Sequence, residues 1–225
     1  MKLFITISLM VSLLSGCGSS EVKLSKKADK IHSSIMTVDT HCDTPMDFAE
    51  GDFDLGKRHK DGCVDFPRMV EGGLHAEFFA VFTGQGPRND SSYTRVHEEA
   101  VDILNSIHSN VDSNFAVAEI ALTADDGYRL KNAGKIAAYI GMENGYPIGH
   151  DISRIKQYYD LGTRYITLAH TKNNDICDSS TDPGGQENNG LSSFGSEVVK
   201  EMNRLGMIVD ISHVSDKSFY DVLKV

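Results

Sequence analysis

From residue 35 onward the chain alternates between short apolar runs that suit strands and longer segments whose apolar residues recur every three or four positions. Ile35-Met36-Thr37-Val38 reads as a buried strand that runs on to His41-Cys42-Asp43 and is stopped by Pro45. Met46 to Arg68 is polar and reads as a long surface loop, and Leu74 to Phe82, bounded by Gly72-Gly73 and Gly84, as a second strand. Val96, Ala100, Ile103, Leu104 and Ile107 place an amphipathic helix over 92–107, and Phe115 to Ala118 reads as a short strand. Thr123 before Asp125-Asp126 opens a helix that Gly134 ends. Lys135 to Glu143 is a nearly continuous apolar strand, Asp151 to Tyr159 a helix, and Arg164 to His170 a strand. The polar stretch Thr171 to Gly190 is a long loop, of the kind that is usually functional or disordered. Ser193 caps a helix with the stripe Val198, Val199, Met202 and Leu205, Met207 to His213 is a further strand, and Ser215 opens a last helix.

Strand and helix alternate throughout, and the strands are apolar enough to be buried on both faces, so the class is parallel α/β. Within it, polar residues at the C-terminal ends of several strands point to a TIM-like (β/α)8 barrel. A doubly wound sheet would carry a glycine-rich loop after its first strand, where this chain has Asp43-Thr44-Pro45. About five to six strands can be counted where a closed barrel has eight, so the barrel is incomplete in this chain.

Four strand ends carry candidate ligands: His41 with Asp43, then Glu143, His170 and His213. In an extended strand His41 and Asp43 leave the same face, so one imidazole nitrogen and one carboxylate oxygen meet a common point. That mixture suits zinc, and a carboxylate such as Glu143 can bridge two ions, with His41 and Asp43 on one and His213 on the other. Asp39 and Asp210 lie further from the strand ends and suit supporting roles. Cys42 points away from its neighbours and suits packing. Ser212 and His213, adjacent on a strand, leave opposite faces and make no serine-histidine pair.

Composition narrows the alternatives. The 225 residues are 40% hydrophobic and 24% charged, which fits one large globular domain. A net charge of -10 without a basic cluster argues against a nucleic-acid partner. The four cysteines, at 17, 42, 63 and 177, form no Cys-x-x-Cys pair, which argues against a disulfide scaffold or a zinc knuckle.

The N-terminus has its own logic. Met1-Lys2, the apolar run Leu3 to Leu14 and Ser15-Gly16-Cys17 form an export signal too short to span a bilayer. Leu14-Ser15-Gly16-Cys17 resembles the lipobox of bacterial lipoproteins, which implies cleavage before Cys17, lipidation of its sulfur and a membrane anchor in the cell envelope. Gly18, where an aspartate would direct retention, implies the outer membrane facing the periplasm. The expected organisation is a signal peptide over 1–17, a flexible tether over 18–30 and the barrel domain over 31–225.

Val38 to Pro45, Ile140 to Gly145, Leu161 to His170 with Asn173-Asn174, and Gly190-Leu191 through Glu201 to Ser215 resemble the membrane dipeptidase (renal dipeptidase) family. The resemblance implies a (β/α)8 barrel with two zinc ions, hydrolysis of dipeptides including those with a C-terminal D-residue, and a homodimer. It implies that His41 and Asp43 bind one zinc, that Glu143 bridges both and that His213 binds the second. Glu143 and His170 are the catalytic residues it implies, with His170 contacting substrate and the oxyanion. It also implies a second histidine for the His213 ion, an arginine for the substrate carboxylate and an aspartate that handles the proton. None of these three can be matched here, so the chain reads as the N-terminal part of a longer enzyme, inactive alone. Other readings of the same residues are a binuclear hydrolase of esters or phosphates and a non-catalytic binding lipoprotein.

Overall fold

A computed structural model describes residues 17–50 and 53–225. The described residues divide into two compact units, 17–37 and 38–225. The described part of the first unit is one helix, α1 (Cys17–Ser34), where the sequence suggests a flexible tether. The reason is local: Glu21, Lys23, Leu24, Lys26, Lys27 and Ala28 are good helix formers, although no apolar stripe marks them as helical. Residues 1–16, which carry most of the export signal, lie outside the described residues. Among the described residues no helix is long and apolar enough to cross a membrane.

The second unit runs β1 (Val38–Cys42), α2 (Phe66–Gly72), β2 (Ala76–Phe82), α3 (Asp90–Ser113), β3 (Ala118–Ile120), α4 (Ala124–Asn132), β4 (Ile136–Glu143), α5 (Ser153–Asp160), β5 (Thr163–Thr167), α6 (Ser193–Leu205), β6 (Ile208–Asp210) and α7 (Asp216–Val222). All strand pairs are parallel, in the order β1-β2-β4-β5-β6. β2 pairs with β4 from Ala76–Ala137 to Phe82–Glu143, so the other edge of β4 is shared by β3 at its start and β5 at its end. The six strands form an incomplete TIM-like barrel, as the alternation of runs predicts.

Burial follows position in the sheet. All eight residues of the central β4 are buried. At the two ends of the order, Val38 on β1 and Ile208 on β6 are exposed, because each strand has a neighbour on one side only among the described residues. The expected buried first strand therefore begins later, at Val38, and Ile35 is exposed. Leu104, Ile107, Phe79, Ile140 and Ile166 pack into one core between the sheet and its helices.

Helix ends follow side-chain chemistry. Thr123 caps α4 in a reciprocal capping box with Asp126, and α6 is capped by Ser192, one residue before the expected Ser193. The region read as a polar loop, 46–68, instead contains most of a 3-10 helix (Thr44–Glu50) and the start of α2, whose N-cap Asp65 is buried. The loop from Thr171 to Gly190 is well packed: Asn173, Asn174, Asp178 and Ser179 are all buried.

Candidate metal centre

β4 delivers Glu143 at its last residue, and the same face of that strand carries Gly141 and Tyr139. Glu143 is only 8% exposed. Its Oε2 lies 3.6 Å from His41 Nε2, and its Oε1 lies 3.2 Å from His213 Nε2 and 3.5 Å from His170 Nε2. His41 Nε2 is in turn 3.2 Å from Asp43 Oδ1. One carboxylate therefore turns one oxygen to His41 and Asp43 and the other to His170 and His213.

The five side chains form two groups, His41-Asp43-Glu143 and Glu143-His170-His213, each with donor atoms within 4.8 Å of one another. Both groups share Glu143. Among the described residues no lysine or arginine lies within 4.0 Å of Glu143, and the cationic-type partners it has there are all imidazoles. A buried carboxylate so placed lacks a permanent counter-charge, which a divalent cation on either oxygen would supply. Imidazole nitrogen mixed with carboxylate oxygen is a donor set that zinc accepts.

Each imidazole is oriented by a neighbour. His41 Nδ1 lies 2.9 Å from the Tyr165 hydroxyl. Burial, with Asp210 and Glu143 nearby, pushes the Tyr165 phenol above its ordinary range, so it stays a neutral hydroxyl. His170 and His213 stack edge to face with ring centroids 4.4 Å apart, and Phe82 meets His170 at 5.1 Å. A cavity of ≈ 300 Å³ opens over His41, Glu143 and His213, walled by Phe78, Tyr165, Ile208 and Asp210.

Asp39 and Asp210 stand outside both groups. Asp39 accepts from the His41 backbone N–H at 3.2 Å, while Asp210 accepts from the Ser212 N–H at 3.0 Å and from the Thr167 hydroxyl. Cys42 is buried against Thr44, 2.9 Å away, and burial pushes its thiol up to about 11. Burial likewise pushes the Cys177 thiol up to about 12, so neither sulfur is a thiolate near neutral pH. The sequence marks Tyr165 only as a residue within the strand Arg164 to His170. The signal available was that a buried tyrosine hydroxyl needs a partner.

A profile of the family described as Membrane dipeptidase (Peptidase family M19) matches residues 25–225. The chain belongs to this family. The match covers most of the chain and all the residues of both donor groups. Among curated proteins, those similar to this chain include "Dipeptidase tcpJ" of Claviceps purpurea, 37% identical over 73% of this chain and 39% of its own length. "Uncharacterized dipeptidase C965.12" of Schizosaccharomyces pombe is 33% identical over 84% of this chain and 49% of its own length. The chain thus spans about half or less of these relatives' length.

Among solved structures, the probable dipeptidase PvdM from Pseudomonas aeruginosa superposes with a TM-score of 0.78 at 26% identity, covering 90% of this chain and 52% of that one. A metallo peptidase from Rhodobacter sphaeroides, solved with a phosphinate mimic of the dipeptide L-Ala-D-Ala, shares the fold at a TM-score of 0.72 and 20% identity. That pair covers 84% of this chain and 62% of the Rhodobacter protein.

Proposed function

We propose that this chain contributes the shared carboxylate and most of the donors of a two-zinc centre that hydrolyses dipeptides, including those with a C-terminal D-residue. The observation that carries the reading is Glu143, whose two oxygens face two separate groups of donors. Family membership supports the metallopeptidase class, and the names of the relatives support the dipeptide substrate. Two bound cations would supply an activated water and charge stabilisation for the scissile carbonyl.

The chain's own residues have separable tasks in this reading. With a cation on His41 Nε2, the ring proton would sit on Nδ1 and be donated to the Tyr165 oxygen 2.9 Å away, which would fix tautomer and ring plane. Asp43 and Glu143 supply negative charge on the His41 side, whereas on the other side Glu143 supplies it and His213 adds a neutral nitrogen donor. His170, whose Nε2 lies 3.5 Å from Glu143 Oε1, hydrogen-bonds the substrate carbonyl oxygen as it gains charge. Phe78 and Ile208 wall the cavity with apolar surface that strengthens these interactions.

The test is hydrolysis of a panel of L,L and L,D dipeptides by the full-length protein, with and without chelator. Metal-dependent cleavage of dipeptides supports the reading. A protein that holds zinc yet leaves every dipeptide intact, while cleaving a phosphate or carboxylic ester, would replace it with a different binuclear hydrolase.

We further propose that Cys17 is lipidated and anchors the protein to the outer membrane on its periplasmic face, on the strength of Leu14-Ser15-Gly16-Cys17. A Cys17→Ser protein should leave the membrane fraction. A homodimer belongs to the same reading and is checked by sedimentation of the full-length protein.

A further inference from the structure

The strands stop short of two of the imidazoles. β5 ends at Thr167 and β6 at Asp210, so His170 and His213 each stand three residues past a strand end. The parallel register between these strands runs only from Tyr165–Ile208 to Thr167–Asp210. Something else must set the distance between the two rings.

A short piece of the long loop does so. The Ser179 hydroxyl donates to the His170 carbonyl at 2.5 Å and lies 3.4 Å from the His213 carbonyl. The Ser180 N–H donates to the same His213 carbonyl at 2.9 Å, and its hydroxyl does so at 3.0 Å. Ser179 is itself buried, and its N–H donates to Asn173 Oδ1 at 2.8 Å. The fully buried Asp178 carboxylate collects the backbone N–H groups of Glu187, Asn188 and Gly190 at 3.0, 2.7 and 2.8 Å. Its carbonyl accepts from the Ser215 N–H at 2.8 Å. The segment is pinned from both sides, so its serines present a fixed pair of donors to two backbones that no ladder connects.

We propose that Ser179, seconded by Ser180, is a positioning residue that braces His170 against His213 and thereby sets the Glu143-His213 side of the centre. The proposal rests on the two-cation reading. The effect is side-specific, because His41 is held by β1 and Tyr165, and Asp43 directly follows that strand, with no bond from this loop to either among the described residues.

The test follows zinc leaving the loaded full-length protein into excess chelator with a chromophoric indicator. Asp43→Asn identifies the ion on the His41 side by accelerating its release. Ser179→Ala should speed release of the other ion about tenfold, the effect of losing a buried hydrogen bond and leaving a carbonyl short of a donor, with the first ion unchanged. Ser179→Thr, which keeps the hydroxyl, should recover most of the wild-type rate. Ser180 is exposed, so Ser180→Ala tests the same claim even if Ser179→Ala does not fold, and should speed the same ion about two- to threefold. Equal acceleration of both ions, or none in either alanine variant, overturns the brace alone. A wild-type protein that binds no zinc overturns the two-cation reading and the brace with it.

Discussion

The ring of Tyr165 occupies the space that any side chain on Gly141 would need: a Cβ there would stand 1.9 Å from Tyr165 Cζ. The two residues are register partners on β4 and β5, and the tyrosine hydroxyl reaches His41 on a third strand. The missing side chain at position 141 thus allows a contact made at position 41.

Gly141→Ala should force the Tyr165 ring aside. Overpacking of this kind costs about 3 kcal/mol. Chemical denaturation should show that loss, and zinc retention on the His41 side should fall with it.

Tyr165→Phe isolates the hydroxyl from the ring. The packing surface stays, so the unfolding midpoint should move little, while His41 loses the group that orients it. Loss of such an outer contact lowers metal affinity by roughly 10- to 100-fold, which competition with a chelator measures.

His170→Ala separates two roles for a histidine that lies within reach of Glu143. If His170 serves the substrate oxyanion, the variant should keep two zinc ions and lose about 10²- to 10³-fold in kcat. Loss of one ion would instead make it a ligand.

Glu77 on β2 has no exposed surface, and neither of its carboxylate oxygens has a hydrogen-bond partner among the described residues. Burial, aided by Asp39, pushes its carboxyl up to about 8 from an ordinary 4.5. The raised value means that the fold favours the protonated acid. Its contribution is fully present below about pH 4.5, falls as the unfolded chain ionises, and is lost by about pH 8. Glu77→Gln should therefore be more stable than wild type at pH 8, by a margin on the order of 3 kcal/mol that disappears near pH 4.5. Thermal melts of both proteins across this range measure the difference.

The hydrophobic pattern revealed the order of strands and helices because buried parallel strands leave unbroken apolar runs, as Ile136 to Met142 does. His41, Asp43 and Glu143 were legible because they sit at or next to the ends of such runs. His170 and His213 also read as strand ends, yet the ladder stops three residues before each, because their backbone bonds go to serines of a loop. No periodicity records that Ser179 reaches His170, since the partners are distant in type and the contact is through a carbonyl. The helix over Cys17–Ser34 was hidden for the opposite reason: its propensity is good but it has no apolar face to betray its period.

A two-cation centre requires Glu143 to serve both ions at once. Zinc content per chain after dialysis of the full-length protein, wild type beside Glu143→Gln, tests it most directly. Two equivalents in the wild type, falling to one or fewer in the variant, is the predicted result. Two equivalents retained by Glu143→Gln, or none held by the wild type, would contradict it.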